Sequence, residues 1–326
     1  MTATNDGQHK SHDRGYRKLL SFGKIFEQLI QGYVDKDWKN QLDFSKSKRI
    51  DKSFVLPGYE EIESDIIYEV PILNQNSNAI VIFLVEHQSS VDYAMPFRVL
   101  GYLVQIWTDF YKNSDENYRR SKKFRLPPVF PIVLYSGEQE WTAAQEVIEI
   151  VESGKLFANY IPNVKYHLIN VPKLNVEQLE QIDNTLAGIF LLEKEIGSEK
   201  FAEILRKSLN VIEKETDDEL WKAVVEWIFI KLKGKHPSSL PELWKNIDLE
   251  NNNRKEVITM LETMPEKLFA DGKKEGIKEG TEKGIKEGIE KVALNMLKKG
   301  ISLEDISEFT GFSIEYIQNL IQKDKK

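Results

Sequence analysis

The stretch Ile80-Val81-Ile82-Phe83-Leu84-Val85-Glu86-His87-Gln88 decides the fold. Six consecutive apolar residues, mostly β-branched or aromatic, predict a central strand covered on both faces. Side chains alternate across a strand, so Glu86 and Gln88 project from one face and His87 from the other. A carboxylate and an amide side by side at the end of a buried strand are either a strand end reaching water or part of a site.

Working outward, Glu63 to Val70 reads as a strand, and the polar run from Asn74 to Asn78 as the turn that joins it to Ile80–Gln88 in a hairpin. Asp65 then lies at the same end of an antiparallel pair as Glu86. Phe54-Val55-Leu56, stopped by Pro57-Gly58, is a further short strand. Upstream, Tyr16, Leu19, Leu20, Phe22, Ile25, Phe26, Leu29 and Ile30 recur at helical spacing, with Gly23 placed to bend or divide the helix. Residues 31 to 50 are mixed and polar, with Trp38, Leu42 and Phe44 as isolated anchors.

Downstream, the spacing of Met95, Val99, Tyr102, Leu103, Ile106, Trp107 and Phe110 predicts a helix from Asp92 to Lys112, carrying Arg98. Val129 to Tyr135 reads as another buried strand and Tyr166 to Val171 as one more. From Val176 the texture turns helical, with segments at 176–191, 201–211, 220–232 and 241–268. Gly272, Gly276, Gly280, Gly284 and Gly288 then recur every fourth residue among Lys and Glu. That repeat is a charged tether or a helix with one bare stripe. The last block has N-cap serines at Ser302 and Ser313 and two short helices meeting at Thr310-Gly311, like a helix-turn-helix or a plain helical hairpin.

At 326 residues, with 41% hydrophobic and 30% charged, the chain has the composition of a soluble globular protein of more than one folding unit. The absence of cysteine excludes a disulfide framework and thiolate chemistry. A cytoplasmic location is expected, since the first twelve residues lack the apolar core of a signal peptide and no apolar run is long enough for a membrane span. A net charge of −7 does not advertise a nucleic-acid binder, although local patches decide contacts. One such patch is Arg119, Arg120, Lys122, Lys123 and Arg125, five cations in seven residues, either steering a phosphate backbone or forming a solvated loop.

Asp65 and Glu86 brought together would repel unless a cation lay between them, and hard oxygen ligands of this kind suit Mg²⁺ or Mn²⁺. Glu86-His87-Gln88-Ser89-Ser90, followed by Met95-Pro96-Phe97-Arg98-Val99-Leu100-Gly101-Tyr102 and Trp107, resembles the Rpn-type recombination-promoting nucleases and YhgA-like transposases. The opening His12 to Leu20, Ser64-Asp65-Ile66-Ile67-Tyr68, Pro131 to Gly137 and the glycine repeat are similar to that family too. The resemblance implies a PD-(D/E)xK restriction-endonuclease-like α/β core of order αβββαβ, followed by an all-helical C-terminal region. It implies a Mg²⁺-dependent DNA endonuclease of low sequence specificity, acting in recombination or on a mobile element. Asp65 and Glu86 would be metal ligands, joined by Asp13 from the first helix, with Glu27 less favoured.

The wider superfamily places a lysine two residues after the acidic ligand, where this chain has Gln88. Glutamine can hold a water but brings no positive charge. Arg98 is the expected compensating cation, with Tyr102 one turn further along the same helix face. Catalytic roles are therefore expected for Asp65, Glu86, Gln88, Arg98 and Tyr102. The alternative is a non-catalytic DNA-binding or protein-interaction protein with a degenerate core. The expected organisation is a disordered tail at 1–12, a nuclease domain at 13–172, a helical subdomain at 173–270, the glycine repeat at 271–291 and a terminal hairpin at 292–326. DNA is the expected partner, with no membrane association and with homodimerisation through the glycine repeat.

Overall fold

The computed structural model describes residues 14–50, 66–73, 80–195, 200–214, 217–235, 247, 249 and 253–324. Asp13, Asp65 and the strand expected at 54–56 lie outside the described residues.

Five strands, β1 (Lys48–Ile50), β2 (Ile66–Pro71), β3 (Ile80–Gln88), β4 (Val129–Tyr135) and β5 (His167–Asn170), form one mixed sheet in the order β1-β2-β3-β4-β5. β1 and β2 pair antiparallel, as do β2 and β3, whereas β3, β4 and β5 run parallel. β3 therefore has a strand on each side and a covered surface above and below, which is why its sequence is a continuous apolar run. The register sets Tyr68 opposite Phe83, Glu86 opposite Val133 and Gln88 opposite Tyr135. Strand β1 was not evident in the sequence. Its three residues include Lys48 and Arg49, both exposed, as suits a short edge strand that charge protects from further pairing.

One face of the sheet carries α3 (Met95–Asn113), the connection from β3 to β4. Met95, Val99, Tyr102, Leu103 and Ile106 pack there against Ile67, Ile82, Leu84, Val133 and Tyr135. The helix starts three residues later than Asp92, because the Asp92 carboxylate is spent outside it: Oδ1 accepts the Ala94 N–H at 2.8 Å. The opposite face carries α1 (14–20) and α2 (Gly23–Tyr33), separated at Ser21-Phe22 as the glycine led one to expect. Phe26 stacks on Tyr68 at 4.0 Å and meets Phe83 edge-on at 5.4 Å. The Tyr68 hydroxyl reaches two carbonyls that the helix break exposes, Leu20 at 3.1 Å and Ser21 at 2.7 Å.

Beyond β5 the described residues form helices α5 (Val176–Glu180), α6 (Thr185–Glu195), α7 (Phe201–Glu213) and α8 (Asp218–Lys235), with the four-residue α4 (Glu116–Arg119) earlier, in the basic loop. α6 packs on both α2 and α7, so Leu186, Ala187, Ile189, Phe190, Leu191 and Leu192 are all buried and the helix is apolar almost all round. Gly188 faces Ser208 of α7, whose hydroxyl donates to the Gly188 carbonyl at 3.3 Å.

The chain divides into two compact units, 1–262 and 263–326. The 45-residue α9 (Arg254–Lys298) begins in the first and continues into the second, and it contains the glycine repeat. In the second unit Ala293 of α9, Ile306 of α10 (Leu303–Thr310) and Ile317 of α11 (Ile314–Asp324) form a small core. Ser302 caps α10, accepting the Asp305 N–H at 3.2 Å, and Ser313 does the same for Tyr316 of α11. Gly311 ends α10 at φ 72°, the left-handed turn that favours glycine. Among the described residues a Cβ added at Gly280, Gly284 or Gly288 would meet nothing within 4 Å, so no close crossing there accounts for these glycines.

Candidate active site

Glu86 and Gln88 leave the end of β3 on the α3 side of the sheet, where the Gln88 amide donates to Glu86 Oε1 at 2.6 Å. Arg98, one turn into α3, donates to the same oxygen through Nη2, also at 2.6 Å. Its other terminal nitrogen, Nη1, donates to Asp92 Oδ2 at 2.8 Å, and Nη2 lies 3.3 Å from the Tyr102 hydroxyl. Both members of the central pair are buried, Glu86 at 5% and Arg98 at 4% exposure. A guanidinium forked between two carboxylates is held by geometry as well as charge.

The electrostatics of the cluster are set by burial. Desolvation raises the Glu86 pKa above the ordinary carboxylate value, even though Arg98, Gln88 and the more distant Arg17 all favour the charged form. Burial also works against the charge of Arg98, but Glu86, Tyr102 and Asp92 together outweigh it and raise its pKa. The Tyr102 phenol is pushed up by burial and then by Glu86. Glu86 is thus a buried carboxylate in direct contact with one guanidinium and one amide, and desolvation outweighs both in setting the direction of its shift.

His87 leaves β3 on the other face, as alternation requires. Its Nε2 lies 2.9 Å from the Ser136 hydroxyl, and its ring stacks on Tyr16 of α1 at 4.3 Å. Tyr16 donates to Glu193 of α6 at 3.2 Å, and Glu193 pairs with Lys231 of α8 at 2.5 Å. The strand end is thus tied to the helical layer through its second face.

Of the residues expected to act, the structure brings together Glu86, Gln88, Arg98 and Tyr102. Ile66 pairs with Val85, so the described β2–β3 ladder stops one residue before Asp65 in one strand and one before Glu86 in the other. Among the described residues no group of three or more His, Asp or Glu could hold a metal. The basic loop is not at the cluster. It follows the far end of α3 and precedes Val129, which pairs with Ile82, whereas Glu86 pairs with Val133. From Arg98 to Lys112, fourteen residues of helix span about 21 Å. Arg120 is engaged by Glu116 at 2.7 Å, and Arg125 donates to the carbonyls of Lys122 and Phe124. Asp92 is the residue of the cluster that sequence reading missed. Its signal was an Asp three residues ahead of a helix and six ahead of a buried arginine.

The family model described as "Putative transposase, YhgA-like" matches residues 10–220, and the chain belongs to that family. It is similar to the recombination-promoting nuclease RpnD of Escherichia coli O157:H7, at 22% identity over 198 residues, 59% of this chain and 70% of the relative. No solved structure matches the chain.

Proposed function

We propose that this chain is a metal-dependent DNA endonuclease of low sequence specificity that promotes recombination or serves a mobile element in the cytoplasm. The observation that carries the reading is the buried Glu86, held at 2.6 Å by both Gln88 and Arg98 at the end of the central strand. Membership of the YhgA-like family and the likeness to a recombination-promoting nuclease support it.

Glu86, with Asp65 and Asp13, would hold Mg²⁺ or Mn²⁺. Its carboxylate, at the end of the buried central strand, offers the hard oxygen such ions take. Bound there, the ion would polarise the phosphodiester and acidify a water. Gln88 would orient that water by hydrogen bonds. Arg98, held by Asp92, would supply the charge that a lysine at position 88 would have brought, and Tyr102 would fix its Nη2. Purified protein should nick supercoiled plasmid with Mg²⁺ or Mn²⁺ and stop in EDTA. Glu86→Gln and Asp65→Asn should each lower the rate by about a hundredfold or more. Undiminished cutting by both variants would overturn the site.

One observation favours a second reading, a non-catalytic DNA-binding or protein-interaction protein. Gln88 stands where the superfamily has lysine, and its amide is spent on Glu86. The two readings part on a thermal melt, because an intact site raises the melting temperature with Mg²⁺ or Mn²⁺. No shift with either ion, combined with salt-sensitive DNA binding, selects the second.

A further inference from the structure

Helix α3 is apolar on two opposite sides. Met95, Val99, Tyr102, Leu103 and Ile106 face the sheet. At about 100° per residue, Phe97, Val104 and Tyr111 lie within about 40° of one another on the reverse side, and an exposed Tyr93 stands in the turn before the helix. These four are exposed by 67% (Tyr93), 55% (Phe97), 51% (Val104) and 47% (Tyr111). Polar residues are expected on the outer side of such a helix, and an apolar row there marks an interaction surface.

The two ends of the row indicate what lies on it. Tyr93 and Phe97 are chain neighbours of Asp92 and Arg98, the pair that closes the Glu86 cluster. At the far end the Arg119 guanidinium sits 4.9 Å over the Tyr111 ring, and Phe124 meets Tyr111 at 5.8 Å and Tyr118 at 5.4 Å, both edge-on. Rings and cations are therefore interleaved through the basic loop.

We propose that this row is a track for single-stranded DNA, carrying an unpaired strand between the basic loop and the Glu86 site. The proposal rests on the reading of the chain as a DNA endonuclease and names the substrate class of that site. Aromatic faces accept stacked bases of any sequence while neighbouring cations hold the phosphates. Duplex DNA keeps its base faces stacked internally and cannot use the row. The track also gives the basic loop a function despite the length of helix that separates it from Glu86.

The test uses the full chain in EDTA, so that binding is read without cleavage. Fluorescence anisotropy with a labelled oligothymidine should give tighter binding than with a duplex of equal length. Phe97→Ala and Tyr111→Ala should each weaken oligothymidine binding by about tenfold, and the exposed Phe97→Ala should leave the circular-dichroism melt unchanged. Preference for duplex, or unaltered oligothymidine affinity in both variants, overturns the proposal. So does a change in oligomeric mass without a change in affinity, which would assign the seven-residue spacing of the row to a second copy of the chain. Because the readout is binding, any of these failures leaves the nuclease reading standing, and plasmid cutting by Glu86→Gln decides that reading separately.

Discussion

At the residue scale, the cluster around Glu86 is a buried charge system whose parts cannot be removed singly at low cost. Arg98→Ala would strip the cation in contact with Glu86, which at 5% exposure keeps the Gln88 amide, and Asp92 would lose its ion-pair partner while keeping the Ala94 N–H. Loss of one member of a buried pair costs about 3–5 kcal/mol. A urea melt of Arg98→Ala should show a drop of that size. Adding Glu86→Gln to the same chain should recover part of it, because the orphaned charge is then gone. Strict additivity of the two substitutions would refute the coupling. Of this cluster, alternation along β3 placed Glu86 beside Gln88, and helical spacing placed Arg98 over Tyr102. The part played by Asp92 was not legible, because it depends on where α3 begins, and that start is set by an Asx-type hydrogen bond rather than by apolar periodicity.

At the element scale, the end of β3 is shaped by the turn after β4. Ser136 N–H donates to the Gln88 carbonyl at 3.1 Å, continuing the ladder past the last paired strand residues. Gly137 follows, and a Cβ there would come within 2.4 Å of both the Ser89 carbonyl oxygen and the Tyr135 hydroxyl. The Ser89 oxygen is backbone and cannot swing aside, so the glycine is required by closeness alone. Gly137→Ala should destabilise the fold by about 1–3 kcal/mol and displace the segment carrying Gln88. The check is a urea midpoint together with the nicking rate. An unchanged midpoint would contradict the packing described. In the sequence, Ser136-Gly137 reads only as a strand stop, since the atom it must avoid is almost fifty residues away.

At the scale of the whole molecule, the helical layer of the first unit is tied to the strand end through one partly buried ion pair. Glu193 of α6 accepts from Tyr16 and from Lys231 of α8, and the Lys231 ammonium lies 5.9 Å from the centre of the Trp227 ring. Trp227 in turn meets Tyr16 edge-on at 5.7 Å. Lys231→Ala removes one partner of a carboxylate whose side chain is 8% exposed, leaves the Tyr16 hydroxyl on it, and should cost about 1–3 kcal/mol. A melt indistinguishable from that of the unsubstituted chain would show that Glu193 is solvated after all. Nothing in the local pattern of α6 or α8 announces this pair, because both helices read as broadly apolar and the partners are 38 residues apart.

The sequence by itself determined the central strand, its hairpin partner, the covering helix and the parallel strand that follows, because burial on two faces and on one face leave different periodicities. It also determined which face of β3 each polar residue takes, since that follows from a period of two. Only the tertiary structure decided that Arg98 forks between Glu86 and Asp92, that His87 belongs to a separate network reaching α8, and that the basic loop stands at the far end of α3. Those facts depend on where one element's end meets another, and local spacing carries no record of that meeting.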